Sequence, residues 1–267
     1  MIGPADETRA VREQYAQVAA AYRTSRVHAQ GPDLDALVDL LGPDGTERIV
    51  DLGTGAGHSA VRVAGRVAHV DAVDLVREML EQAAALAAER GVTNVTFHAA
   101  DVRALPFADA SMDGAVSRVS AHHWADVPAG IAEAARVVRA GGRIVIVDTI
   151  APPEPALDTF INAVEILRDP SHGRDLAIAE WRRILEDAGF SVTDVRVDGV
   201  ELDAADWFAR SRTAPWREEA ARALLRTASP AAREVFAIAP DAARFSLLRG
   251  ILAGTRRHGD REAVAHG

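Results

Sequence analysis

Asp51 stands in the apolar run Ile49 to Leu52 and is followed by glycines at 53, 55 and 57, with Thr54 between the first two. Glycines at alternate positions let the backbone adopt positive φ and let a ligand approach where a Cβ would block it. The helix-forming stretch Ser59 to Ala68 begins directly afterwards, and its start adds exposed N–H donors. A carboxylate beside such a cradle repels a pyrophosphate and attracts an ammonium or sulfonium. Asp74 lies at the end of a second apolar run, His69 to Leu75, where an acid can accept from both hydroxyls of a ribose. Gly55-Ala-Gly57-His-Ser-Ala60 also fits the GxGxxA form of dinucleotide-binding turns, so a nicotinamide oxidoreductase is a rival reading, and Asp51 argues against it.

Further along, Ser117-Arg-Val-Ser-Ala-His122-His123-Trp124 follows an apolar segment. Imidazole exchanges protons near neutral pH, so His122 and His123 are candidates for a base, with at most one of them facing the substrate. Packing is the alternative role. Neighbouring residues rarely converge on one ion, and no metal site is expected. Arg168-Asp-Pro-Ser-His172 is a second polar cluster, in which Arg168 could pair with an anionic or carbonyl group of a substrate. Its alternative is an internal ion pair to Asp169 or Asp175. Tyr15 and Tyr22 are the only tyrosines and share one face of an N-terminal helix, where they either pack or form part of a lid that touches substrate.

Regular alternation of strands and helices positions these groups. Strands are expected at Ile49–Leu52, Val70–Val73, Val95–Ala99, Gly114–Val119 and Arg143–Thr149. Helices are expected at Asp6–Ala29, from Gly31-Pro32-Asp33 through Leu41, at Val76–Arg90 and at Val127–Arg139, the last capped by Asp126 and stopped by Gly141-Gly142. Such alternation predicts a mainly parallel, doubly wound sheet that binds ligands beyond the carboxyl ends of its strands. After Ala151-Pro-Pro-Glu-Pro155 the rhythm changes. Helical stretches are expected at Leu157–Leu167, Ile178–Ala188 and across Asp206–Ala239, and strands at Ser191–Val197 and Phe245–Thr255.

Composition narrows the class. The 267 residues include no cysteine, which excludes disulfides, thiolate zinc sites and cysteine nucleophiles. A net charge of −9 makes nucleic acid an unexpected partner. No apolar run is long enough to span a bilayer, and the first residues lack a signal-peptide pattern, so no membrane association and a cytoplasmic location are expected.

The Asp51-x-Gly53-x-Gly55-x-Gly57 turn resembles the first motif of the class I S-adenosylmethionine-dependent methyltransferases. The resemblance continues through His98-Ala-Ala-Asp101-Val102, Leu105-Pro-Phe107, Ser111-Met-Asp113-Gly-Ala-Val116 and Arg136-Val-Val-Arg-Ala-Gly-Gly142. It covers roughly Arg48 to Asp148 and is similar in these motifs to the ubiquinone and menaquinone C-methyltransferases. It implies S-adenosylmethionine as cofactor and S-adenosylhomocysteine as product. Asp51, Gly53, Thr54, Gly55, Gly57 and Ser117 would surround the methionine part, Asp74 would hold the ribose, and Leu75, Asp101 and Val102 the adenine. His122 or His123 would act as base, and Tyr15, Tyr22, Trp124, Arg168 and His172 would contact the acceptor.

The expected architecture is an α/β fold with a doubly wound, mainly parallel seven-stranded sheet. Residues 1–45 would form a helical lid, 46–150 the cofactor core, 151–255 a helical substrate cap with the last strands, and 256–267 a flexible tail. The expected reaction moves a methyl group to an N, O or C atom of a small molecule, with natural-product biosynthesis as one setting. The rivals are a relative that keeps the cofactor structurally, for cyclisation or ligand binding, and a protein or nucleic-acid methyltransferase. Oligomeric state is left open, a homodimer being one option.

Overall fold

A computed structural model describes residues 4–25 and 29–258. Its sheet has seven strands in the order β3-β2-β1-β4-β5-β7-β6. They are β1 (Arg48–Leu52), β2 (His69–Asp74), β3 (Val95–Ala99), β4 (Met112–Arg118), β5 (Val138–Ile150), β6 (Phe190–Asp203) and β7 (Arg244–Arg256). The first five pair in parallel, and β7 runs antiparallel to both β5 and β6. The chain order reverses direction across the sheet between β1 and β4, so a crevice opens beyond their carboxyl ends.

The helices are α1 (Pro4–Arg23), α2 (Pro32–Leu41), α3 (His58–Ala64), α4 (Arg77–Glu89), α5 (Val127–Val137), α6 (Pro155–Arg168), α7 (Ile178–Asp187), α8 (Ala204–Arg210), α9 (Pro215–Arg226) and α10 (Pro230–Val235). Both sheet faces are covered, which leaves β1 from Ile49, β4 from Gly114 and β5 from Ile144 buried residue after residue. One face packs against α5 and α7 through Ile131, Trp181 and Leu185, and the other against α2 and α3 through Leu37, Val38 and Val63. A third cluster lies beyond the sheet, where Phe208, Phe236 and Phe245 join α6 and α8–α10 to the far ends of β6 and β7. A fourth holds α1 to α4, with Tyr15, Val18 and Tyr22 against Val76 and Met79.

Some boundaries differ from the sequence expectation, each for a local reason. α1 closes at Arg23, and residues 26–28 of the expected helix lie outside the described residues. The stretch 206–239 is not continuous: Pro215 and Pro230 begin new helices at positions that lack a hydrogen-bonded N–H anyway, and Ser229 accepts from the Ala232 N–H as a cap. β6 runs on to Asp203 because it pairs with β7 along its whole length. Its far half, Arg196 to Asp203, is mostly exposed, and Gly199 interrupts the alternation of Val197, Val200 and Leu202 with polar residues there. The expected tail begins inside β7, where Arg256 donates to the Ala135 and Gly189 carbonyls, and residues 259–267 lie outside the described ones. Among the described residues no helix is long and apolar enough to cross a membrane.

Candidate active site

Beyond the carboxyl ends of β1 and β2 lies a cavity of ≈ 960 Å³, its open mouth included. Gly53, Thr54 and Gly55 form part of its wall, as do Asp74, Leu75, Asp101 and Val102. The turn needs glycine at its first position for two reasons. Gly53 has φ 66°, and a Cβ there would lie 1.9 Å from Ser120 Oγ and 3.3 Å from Trp124 Nε1. Gly57 has φ 87° and serves packing: its Cβ would meet that of Ala83 in α4 at 2.7 Å, and it does not line the cavity.

Asp51 is fully buried beneath the turn and is not on the wall. Its Oδ2 accepts from Thr54 Oγ1 (2.6 Å) and Ser59 Oγ (2.8 Å), while Oδ1 has no hydrogen-bond partner. Burial raises this carboxyl to about 6, against the pull of the two hydroxyls. Asp74 fastens the turn from the next strand, accepting from the Gly55 N–H (2.8 Å) and the Val76 N–H (2.8 Å). Burial raises it to about 6 as well, with the nearby Asp51 adding to the shift and the backbone donors opposing it. Asp101 takes a chelating contact from Arg103, with Nη2 at 2.7 Å and Nε at 3.0 Å, and those hydrogen bonds lower its pKa. Ser117 lies off the cavity, its hydroxyl donating to the Leu52 carbonyl and tying β4 to β1.

The two adjacent histidines part company. His123 lines the large cavity together with Tyr15, Tyr22 and Trp124. Its Nδ1 faces the Ser171 carbonyl at 3.2 Å and its Nε2 faces the Tyr15 hydroxyl at 2.5 Å. A carbonyl can only accept, so the neutral ring carries its proton on Nδ1 and accepts the phenol O–H at Nε2. Burial, helped by the positive charge of His122, lowers His123 to about 4, which leaves it neutral at pH 7. Tyr15 is also 3.4 Å from Asp169 Oδ2, and burial holds its phenol well above the usual range.

His122 turns the other way. Its Nδ1 lies 2.5 Å from Asp148 Oδ1, and its backbone N–H donates to Asp148 Oδ2. Burial works against the charged ring, yet the charge and hydrogen bond of Asp148 outweigh it and raise His122 to about 9. A charged imidazolium cannot accept a proton, so of the pair only His123 is equipped as a base.

His122 lines a second cavity of ≈ 470 Å³, which shares Tyr15, Tyr22 and Val119 with the first. Arg168 is here, with Nη2 3.3 Å from the Tyr22 oxygen, Nε 3.3 Å from the Trp207 carbonyl and its guanidinium 4.8 Å from the Trp207 ring. Its ion pair is to Glu165, at 3.9 Å, in place of the expected Asp169 or Asp175. His172 lines neither cavity: its Nε2 meets Asn162 Oδ1 at 3.0 Å, and burial with the charges of His122 and His123 lowers it to about 2. It is buried, and its Nδ1 has no hydrogen-bond partner.

Several groups escaped the sequence reading. Asp148, Arg249 and Glu165 are buried beside the two cavities, and Arg210 and Trp207 complete the second. Two of them had a legible signal: Asp148 and Arg249 are lone charges inside the apolar runs of β5 and β7, and a charge in a strand buried on both faces needs a reason.

Comparison with known proteins places the chain in a family. A "Methyltransferase domain" family model matches residues 50–146. The chain is 35% identical over 224 residues to the uncharacterized methyltransferase YcgJ of Bacillus subtilis (strain 168), spanning 84% of this chain and 88% of that one. It is 36% identical over 185 residues to the uncharacterized protein YafE of Escherichia coli (strain K12), spanning 69% and 89%. The crystal structure of YcgJ superposes with a TM-score of 0.81 at 33% identity over 85% of this chain and 99% of that one. The chain belongs to the class I S-adenosylmethionine-dependent methyltransferases.

Proposed function

We propose that the larger cavity holds S-adenosylmethionine and that a small acceptor meets it beside Tyr15 and His123. One observation carries the reading: the glycine turn, the two strand-end acids Asp74 and Asp101, and the Tyr15–His123 pair all face one space. The residues fit the cofactor. The turn leaves open room at Gly55, where a Cβ would meet nothing within 4 Å. Asp74 is placed for ribose hydroxyls, Leu75 and Val102 offer apolar contact to a purine, and Asp101 would exchange part of its Arg103 contact for the adenine amino group. Asp51 acts from below, through its charge and by holding Thr54 and Ser59.

When bound, the cofactor's sulfonium supplies an activated methyl group, so the protein's share is placement and proton handling. Trp124 and Tyr22 flank the acceptor side. His123 Nε2 is already engaged by Tyr15, so an acceptor proton reaches it through the phenol: Tyr15 oxygen takes the acceptor's proton as its own passes to Nε2. Ser171 C=O steadies the ring through Nδ1–H, and Asp169 favours the imidazolium that results. His122 holds this loop in place through Asp148 and is a positioning residue. In this reading α1 is the lid, since Tyr15 and Tyr22 reach from it to the cavity, and α6 with α8–α10 is the substrate cap.

The test is turnover of a panel of small phenolic, amino and enolic acceptors, read as a mass gain of one methyl group. Wild-type protein should methylate members of one class. Tyr15→Phe and His123→Asn should lose that turnover while keeping S-adenosylhomocysteine affinity. Full activity in both variants would remove the proton path.

A further inference from the structure

The second cavity is unusual in what it leaves unpaired. Arg249 is 5% exposed, and its Nε and Nη1 are buried without a hydrogen-bond partner. Arg210 Nε, across the same space, is likewise buried and unpartnered. With Arg168 they bring three guanidinium groups to a cavity in which Glu165 is the lining carboxylate, and Glu165 already faces Arg168. The remaining buried acids nearby are engaged or lie outside its wall: Asp148 is bound to His122, Asp33 to Arg118, and Asp175 does not line the cavity. Burying a guanidinium with idle donors is costly, and such donors form a fork suited to a carboxylate or phosphate.

The wall between the two cavities is also marked. Val119 lies in both linings and has φ 53°, a conformation that a β-branched residue rarely adopts, and strain of this kind gathers where the surrounding structure imposes it at ligand sites. Tyr15 and Tyr22 complete the partition. A molecule with its reacting atom at Tyr15 in the first cavity would have its far end in the second.

The geometry points to an acceptor that carries an anionic group, a carboxylate or a phosphate, seated between Arg249, Arg210 and Arg168 in the second cavity. This rests on the methyltransferase reading for the identity of the bound molecule as acceptor, and not for the anion site itself. The site selects acids over neutral analogues of the same shape. Trp207 and Tyr22 cover the apolar part next to the charged group.

The test is thermal unfolding of the full chain with benzoate, inorganic phosphate and neutral benzyl alcohol, at an ionic strength fixed with chloride. A saturable rise in Tm with benzoate alone identifies a carboxylate site, and one with phosphate identifies a phosphate site. The rise should vanish in Arg249→Met, and the anion affinity should fall at least about tenfold in Arg210→Gln, which is partly exposed and keeps the fold if Arg249→Met does not. A purely structural Arg249 would lower Tm equally in every buffer and leave the anion response of Arg210→Gln intact. No saturable rise with either anion beyond that with benzyl alcohol overturns the proposal. S-adenosylhomocysteine titrated in parallel separates the two readings: anion binding without it would keep the site and remove its role in methyl transfer.

Discussion

The two cavities share a wall but are built from opposite materials. The first is assembled from strand ends, a glycine turn and carboxylates, with Asp51 and Asp74 both raised to about 6 by burial. The second is assembled from arginines on α6, α8 and β7, with Trp207 and the charged His122. In the proposed reading the first would take a cation and the second an anion, with Tyr15, which lines both, and the neutral His123 beside it between them. A methyl donor carrying positive charge and an acceptor carrying negative charge would sort themselves between the two without any moving part. On that reading, the difference in charge between the two walls would orient donor and acceptor before their shapes do.

The largest expected effect falls on the boundary. Tyr15→Phe or His123→Asn should lower kcat by about 10²–10⁴ for an acceptor that must lose a proton, with S-adenosylhomocysteine affinity within about threefold of wild type. Single-turnover kinetics and calorimetry on the same preparations would check both. Equal loss of binding and turnover would mean that the boundary residues belong to the cofactor cavity alone.

A second break separates the structural supports. Phe236 is fully buried in the cluster behind the second cavity, and Phe236→Ala should cost about 3–5 kcal/mol of stability. Denaturant unfolding would show it, and cofactor affinity measured below the transition should stay unchanged. Asp74→Ala should do the reverse, weakening S-adenosylhomocysteine by about 1–3 kcal/mol through lost charge-assisted hydrogen bonds. A folded Asp74→Ala protein with unchanged affinity would take Asp74 out of the site.

Proton linkage sharpens the contrast with smaller effects. Asp51 and Asp74 have folded pKa values raised to about 6, so they add stability below pH 4 that is lost as pH rises through 6. A bound cation reverses that loss, and cofactor binding should release protons near pH 6 and tighten from pH 5 to pH 7. Titration in buffers of different ionisation enthalpy reads the protons directly. In the second cavity His122 is raised to about 9, and its contribution is fully present below pH 6.5 and lost as pH rises through 9. Urea unfolding should show that alkaline loss, and His122→Gln should abolish it. His123, lowered to about 4, acts oppositely and weakens the fold as pH falls from 6.5 toward 4.

The first cavity was largely legible in the sequence because its parts are local. Asp51 to Gly57 is one continuous strand end and turn, Asp74 closes the apolar run of β2, and Asp101 follows two residues after β3. What sequence could not resolve was rank within that set: Gly57 and Ser117 serve packing, and Asp51 lies one layer below the wall. The second cavity was mostly hidden because its residues are far apart in the chain. Arg168, Arg210 and Arg249 meet only after α6, α8 and β7 have packed. In an arginine-rich chain without lysine, no single arginine stands out by type. His122 and His123 were visible as a pair, but their opposite charge states depend on Asp148, Ser171 and Tyr15, which lie 26, 48 and 108 residues away from the histidines they touch.

The most direct measurement is calorimetric titration of the full chain with S-adenosylmethionine, S-adenosylhomocysteine and NADH. Binding of both adenosyl ligands at micromolar concentration, with none of NADH, is the predicted result and would place a cationic cofactor over Asp51 and Asp74. No binding of either adenosyl ligand by folded protein would contradict the account at its centre, since the glycine turn would then cradle something else.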